Sequence, residues 1–263
     1  MDLELSGQMV VVTGSSRGIG KGIAAAFLKE GTRVVLTGRE AIELNQVAAD
    51  FQQRYGSRQV LSFAGDLLQE AALESLSRFI EAQAAGLDHL VCNIGTGRSV
   101  PPLQEDEAEW SRLLEINLYA ATRSVRILLP LLEQRVSHPG SSPSIIFISS
   151  ICGVEALGCP VAYAAAKSAL ISYAKNIAWP LGRRGIRVNL VSPGNVLFPG
   201  STWEDKLARN RAMVDEMLER EVPLQRLGTV EEVAEVVVFL ASRRAGFIHG
   251  ANLVVDGGQT RSF

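Results

Sequence analysis

Apolar and polar positions along the chain follow two alternating rhythms. Short runs rich in Val, Ile and Leu, at Met9–Thr13, Arg33–Leu36, Gln59–Ala64, Leu87–Cys92, Ser144–Ser149, Arg187–Val191 and Asn252–Val255, have the length and β-branched content of strands. Between them stand longer stretches with helical patterning, at about Ile19–Glu30, Arg39–Tyr55, Gln69–Ala85, Glu105–Leu132, Ala162–Leu181 and Val230–Ser242. In the third of these Leu73, Leu76 and Ile80 share one side while Glu70, Glu74 and Arg78 share the other, the pattern of a helix laid over a sheet. The alternation predicts an α/β fold, a doubly wound parallel sheet of seven strands with helices on both faces.

Three places interrupt the rhythm. Pro130 lacks an amide donor and is expected to bend or end the central helix early. His138–Pro143 reads as a turn-rich surface loop, and Pro193 to about Pro223 as a long insertion. Within the insertion Leu207, Met213, Val214, Met217 and Leu218 stand among charged residues, so Trp203–Arg220 is expected to form one or two amphipathic helices.

Length and composition narrow the picture further. A chain of 263 residues with 47% hydrophobic positions is expected to form one domain, 1–263, whose core needs no disulfide or metal clip. Its 26 Lys and Arg against 28 Asp and Glu leave a formal charge of -2, which argues against a nucleic-acid partner. Cys92, Cys152 and Cys159 lack metal-ligand spacing, and no metal is expected. The start of the chain reads as no secretory signal, and no run is long and apolar enough for a membrane span, so a cytoplasmic location is expected.

Candidate chemistry begins after the first strand. Thr13-Gly14-Ser15-Ser16-Arg17-Gly18-Ile19-Gly20 puts three glycines where the chain must turn and where a phosphate would approach. Taken alone this segment serves either a structural strand-to-helix turn or a dinucleotide site. After the second strand, where an acidic residue would hold an adenosine ribose, the chain has Gly38-Arg39-Glu40. Arg39 and Arg17 together would pair with a 2'-phosphate, which argues for NADPH over NADH, although Glu40 could neutralise Arg39.

Tyr163 and Lys167 are four residues apart, hence on one helix face, and Ser150 ends a strand thirteen residues before the tyrosine. Alone, such a pair is as well a half-buried tyrosine beside a snorkelling lysine. A lysine so close would favour phenolate and lower the tyrosine pKa.

In order along nearly the whole chain stand the glycine loop, Asp66 after the third strand, Asn93-Ile94-Gly95 after the fourth, Asn117 in the central helix, Ser150, Tyr163 and Lys167, Pro193-Gly194 and Asp256-Gly257-Gly258. In this order and context the chain resembles the short-chain dehydrogenase/reductase family, including its 3-oxoacyl-acyl-carrier-protein reductase-like members. The resemblance implies a Rossmann fold and hydride transfer between NADP(H) and a carbonyl or secondary alcohol. Tyr163 would be the general acid/base, Lys167 would hold the nicotinamide ribose, Ser150 would polarise the substrate oxygen, and Asn117 would hold a water linking Lys167 to solvent. Cofactor contacts would come from Gly14, Ser16, Arg17, Gly18, Ile19, Gly20, Arg39, Asp66, Leu67, Asn93, Gly95, Tyr163, Lys167, Pro193, Gly194 and Val196.

The resemblance also makes 195–222 a lid over the substrate, with Ser150, Cys152, Tyr163, Phe198 and Trp203 as substrate contacts. Two positions depart from the family pattern: Ile94 replaces a small residue, and Phe198 stands where many relatives place a threonine against the nicotinamide carboxamide. A small-molecule carbonyl or alcohol substrate is expected, with a 3-oxoacyl thioester as one alternative and a cofactor-binding regulatory or structural protein as another. Relatives are usually tetramers, so a homo-oligomer is expected, with Leu113, Leu114, Leu118 and 246–263 as interface or core material.

Overall fold

Neighbouring residues of each inner strand bury their side chains on opposite faces, and each face has its own helical cover. The computed structural model describes residues 2–138 and 140–262. Met1 and Phe263, the ends of the expected 1–263 domain, and Pro139 in the expected turn-rich loop lie outside the described residues. Strands β1 (Met9–Val12), β2 (Arg33–Gly38), β3 (Val60–Ala64), β4 (His89–Cys92), β5 (Ser144–Ile148), β6 (Arg187–Pro193) and β7 (Asn252–Val255) form one sheet in the order β3-β2-β1-β4-β5-β6-β7. Every pairing is parallel.

On one face Val10 and Val12 of β1 meet Ile23 and Phe27 of α1 (Gly18–Lys29), Leu44 of α2 (Ala41–Tyr55) and Val237 of α9 (Val230–Ala241). On the other, Met9 and Val11 join Leu73, Leu76 and Ile80 of α3 (Glu70–Gln83), Leu128 of α5 (Ala120–Val136) and Leu170 of α6 (Val161–Gly182). The period-two pleat thus divides one strand's residues between two cores.

The expected single helix Glu105–Leu132 is interrupted. It consists of α4 (Glu107–Leu114), a π-helical turn Glu115–Tyr119, and α5. α5 continues through Pro130 to Val136, so of the expected bend or early end the early end does not occur. One lost amide donor is outweighed there because Leu128, Leu131 and Leu132 on both sides of the proline are fully buried. The insertion folds as two helices, α7 (Thr202–Arg209) and α8 (Arg211–Glu221), with Ser201 and Asn210 accepting from their first-turn amides.

Order reverses between β1 and β4, which carry successive connections to opposite sides of the sheet. The loops leaving their C-terminal ends therefore open a crevice at that edge. Into the same edge run the ends of β5 and β6, and with them Ser150 and Pro193-Gly194.

Candidate active site

The glycine loop is held from below by its own polar residues. The Gly14 amide donates to Thr37 Oγ1 (2.9 Å), Ser15 Oγ donates to the Val12 carbonyl (2.9 Å), and the Thr37 amide donates to Ser15 Oγ (2.9 Å). Gly14 and Gly18 turn the chain with φ of 67° and 56°, which side chains rarely adopt. A Cβ at Gly20 would run into the Gly14 carbonyl and the Asn93 side chain, so the loop closes tightly on itself. Asn93 completes the tie: its Nδ2 donates to the carbonyls of Thr13 and Gly14, both at 3.0 Å.

α1 starts at this loop with no side-chain cap and no acidic residue in its first turn. Its unsatisfied amides and the positive end of its dipole suit a phosphate. Gly38 packs on Ser16, where a Cβ would lie 3.2 Å from the Ser16 Cβ, which brings the end of β2 beside the loop. Arg17 and Arg39 are both exposed on those adjoining segments. Asp66 accepts from the Leu68 amide (3.2 Å), while the Leu67 side chain points into the core, leaving its main chain for any ligand. These residues fit a phosphorylated dinucleotide.

The candidate reacting groups stand at the end of β5 and the start of α6. Lys167 is 3% exposed, and its Nζ donates to the Ile148 carbonyl at 2.9 Å. Burial lowers its pKa to about 8. Tyr163 is half-buried one turn earlier, its ring centroid 6.0 Å from Lys167 Nζ. The expected lowering of the tyrosine pKa is not what these groups produce. Desolvation raises it above its ordinary value, opposed only in part by a hydrogen bond with Ser150. Tyr163 is therefore a neutral phenol at pH 7, able to give a proton to a developing oxyanion.

Asn117 lies in the π-helical turn, fully buried. Its Oδ1 accepts from the Thr96 amide (2.9 Å), and its Nδ2 donates to the carbonyls of Thr96 and Leu113 (both 3.1 Å). A Cβ on Gly95 would lie 2.9 Å from Asn117 Oδ1 and 3.1 Å from Lys167 Nζ, so Gly95 separates the two side chains. The Asn117 side chain is thus committed to holding the Gly95-Thr96 segment against the ammonium.

Pro193 and Gly194 leave β6 closely packed on Asp256, where a Cβ at Gly194 would lie 2.7 Å from the Asp256 Cβ. Val196 is buried and bridged to Gly228. Phe198, expected on the substrate wall, is brought instead to the glycine loop, its ring 2.8 Å from where a Gly18 Cβ would stand. Trp203 packs on the insertion's own small core of Val214, Leu218 and Val222, with Lys206 Nζ 4.0 Å from its ring centroid. With Met213 and Met217 these two line a cleft of about 260 Å³ between α7 and α8, to which neither Ser150 nor Tyr163 contributes.

Two features had no sequence signal. Gly97 lies beside the phenol, a Cβ there falling 3.7 Å from Tyr163 Cζ, and its neighbour Arg98 reaches the insertion. Arg98 donates to the Gly200 carbonyl (3.1 Å) and pairs with Asp205 (2.8 Å), strapping the β4–α4 loop to α7. The second is a disulfide between Cys152 and Cys159, in a loop outside the two hydrophobic cores. Cys152 meets the expected substrate contact Ser150 through its amide, which donates to Ser150 Oγ at 3.2 Å.

A family profile described as Enoyl-(Acyl carrier protein) reductase matches residues 14–260. Nodulation protein G of Rhizobium sp. (strain N33) is 33% identical over 256 residues, covering 97% of this chain and 98% of its own. The 3-oxoacyl-acyl-carrier-protein reductase FabG of Escherichia coli (strain K12) is 32% identical over 260 residues, covering 97% and 98%. Among solved structures, L-sorbose reductase from Gluconobacter frateurii, complexed with NADPH and L-sorbose, superposes with a TM-score of 0.92 at 31% identity over 100% of both chains. Likeness at this level, sustained from the glycine loop to the last strand, makes the chain a member of the short-chain dehydrogenase/reductase family.

Proposed function

We propose that the chain is an NADP(H)-dependent oxidoreductase interconverting a carbonyl and a secondary alcohol, with Tyr163 as general acid/base. The observation that carries this reading is the meeting of Ser150, Tyr163 and Lys167 on one crevice wall, opposite a glycine loop with an uncapped helix start. NADPH, when bound, supplies the hydride for the carbonyl carbon. Gly14, Ser16, Gly18, Ile19 and Gly20 would hold its pyrophosphate, Arg17 and Arg39 its 2'-phosphate, and Asp66 and the Leu67 main chain its adenine. Asn93 and Gly95 would border it from β4, and Pro193, Gly194 and Val196 from β6.

Ser150 and Tyr163 hold the substrate oxygen, and the tyrosine gives its proton as charge develops there. Lys167, already held against the Ile148 carbonyl, binds the ribose and carries the replacement proton toward Tyr163. Asn117 is a positioning residue that fixes Gly95 beside the ammonium and lies on the route of that proton to solvent. Cys152 stands at the substrate wall through its disulfide.

The chain works as one domain, residues 1–263, with 195–222 as its lid. Exposed apolar side chains at Trp179, Phe247 and Val254 support a homo-oligomer, a tetramer by family habit. Leu113, with no exposure in the single chain, is core material and not interface. Dependence on a diffusible phosphorylated dinucleotide goes with a cytoplasmic location. Among the described residues no helix is long and apolar enough to cross a membrane.

The test is NADPH oxidation against a panel of sugar ketones, cyclic ketones and 3-oxoacyl thioesters. Turnover of at least one class supports the reading, and the class names the substrate. NADPH binding without turnover of any class would favour a regulatory or structural role instead.

A further inference from the structure

The segment between Ser150 and Tyr163 carries both catalytic side chains at its ends, and it is closed on itself. Ser150 opens the 3-10 turn Ile151–Gly153, and Tyr163 stands in the first turn of α6. Cys152 lies two residues past the serine and Cys159 four before the tyrosine, and their disulfide spans a Cα–Cα distance of 6.1 Å.

The Cys152 end of this bond rests on the catalytic lysine. A Cβ at Gly153 would lie 2.8 Å from the Lys167 main-chain carbon, and Ser168 Oγ donates to the Gly153 carbonyl at 2.8 Å. The Cys152 amide donates to the Ser150 hydroxyl, the group assigned to the substrate oxygen. At the other end Pro160 directly precedes α6, and its carbonyl accepts from the Ala164 amide at 3.0 Å. Between the cysteines the chain has irregular structure, with Ala156 and Gly158 exposed. Glu155 accepts from the Arg261 amide (2.7 Å) and from the Ser262 amide, so the loop also holds the C-terminal tail. The Val154 and Glu155 amides both donate to the Ile151 carbonyl (2.9 Å), so it is the part of the loop after Glu155 that little besides the disulfide would order.

We propose that the Cys152–Cys159 disulfide is a positioning element of the carbonyl site, giving full substrate affinity when closed and reversibly lost to a dithiol reductant. Opening consumes two electrons and two protons from the dithiol. The S–S bond becomes two thiols while the reductant closes to its own cyclic disulfide. In a reducing compartment such a bond is transient and regulatory, and its position makes the substrate wall the part that responds. The free loop must then be ordered at each binding event, and that entropy falls on substrate affinity and not on the proton transfer itself. The third cysteine, Cys92, is buried in β4 and stands outside this exchange.

The proposal rests on the reading of Ser150 and Tyr163 as the carbonyl site, and two measurements separate the two. Steady-state NADPH oxidation with a turned-over ketone is compared before dithiothreitol, after it, and after re-oxidation with oxidised glutathione. KM is expected to rise about tenfold on reduction with kcat changed by less than about twofold, and to return on re-oxidation. A Cys152→Ser/Cys159→Ser double variant is expected to sit at the high KM and to ignore reductant. Hydrogen exchange of the 151–160 peptide, read without substrate, is expected to lose protection on reduction.

Equal KM in both redox states overturns the proposal, as does full alkylation of Cys152 and Cys159 in protein purified without reductant. Unchanged exchange overturns it even where no ketone is turned over. Redox-dependent exchange with no turnover in either state supports the staple and counts against the catalytic reading.

Discussion

Replacing Lys167 with methionine should stabilise the fold at neutral pH while abolishing turnover. The lysine is 3% exposed, and burial brings its pKa from 10.5 down to about 8. At pH 7 folded and unfolded chains both carry the proton, so the full penalty of burying the ammonium is present. At about 1.36 kcal/mol per pH unit it amounts to about 3 kcal/mol. Between pH 8 and 10.5 the folded lysine releases its proton first, the unfolded chain binds more protons, and wild-type stability rises. By about pH 9.5 the penalty falls to about 1 kcal/mol.

Methionine keeps the apolar stem without the charge but loses the hydrogen bond to the Ile148 carbonyl, which returns about 1 kcal/mol. The variant should therefore be about 2 kcal/mol more stable than wild type at pH 7 and nearly equal to it at about pH 9.5. Urea unfolding at both pH values, followed by tryptophan fluorescence, reads the difference. A variant no more stable at pH 7, or a gap that fails to narrow at the higher pH, would refute the burial argument.

Other outcomes follow from the same geometry. Arg17→Ala combined with Arg39→Ala should weaken NADPH binding roughly tenfold or more and leave NADH nearly unchanged in titration calorimetry; equal losses for both would remove the 2'-phosphate assignment. Arg187, buried, donates to the carbonyls of Leu240, Ala241, Ser242 and Ala245 at the end of α9. Arg187→Met should cost about 3 kcal/mol or more in urea unfolding, and a neutral result would mean those carbonyls find other partners. Because desolvation holds Tyr163 protonated, kcat/KM for carbonyl reduction should stay level through pH 7 and fall only as Lys167 loses its relay proton near pH 8, whereas that for alcohol oxidation should rise over the same range. A reduction profile that falls near pH 7 would require a phenol lowered, not raised.

The strands were legible because β-branched runs are local, and the order of glycine loop, serine, tyrosine and lysine carried the site. β6 runs on to Pro193 because a proline at a strand's end gives up no needed ladder bond. What stayed hidden depends on contacts between distant segments. The π-helical turn that buries Asn117 is a change of backbone hydrogen bonding over five residues, too short to break the apolar pattern around it into two, so periodicity reads one helix. Cys152 and Cys159 are seven apart, a spacing that says nothing about Cα distance until the loop between Ser150 and α6 is folded. The direction of the Tyr163 shift depends on how deeply the phenol is desolvated, and the four-residue spacing to Lys167 carries only the opposing charge. Phe198 likewise reveals its neighbour, the glycine loop, only when the chain leaving β6 has folded back to it.

The role of Tyr163 is tested most directly by rapid mixing of NADPH-loaded wild type and Tyr163→Phe with a ketone that the wild type reduces, following loss of NADPH absorbance. The phenylalanine variant should bind NADPH within about twofold of wild type yet transfer hydride about a thousandfold more slowly, the loss expected of a removed general acid. Hydride transfer in that variant at close to the wild-type rate would contradict the mechanism.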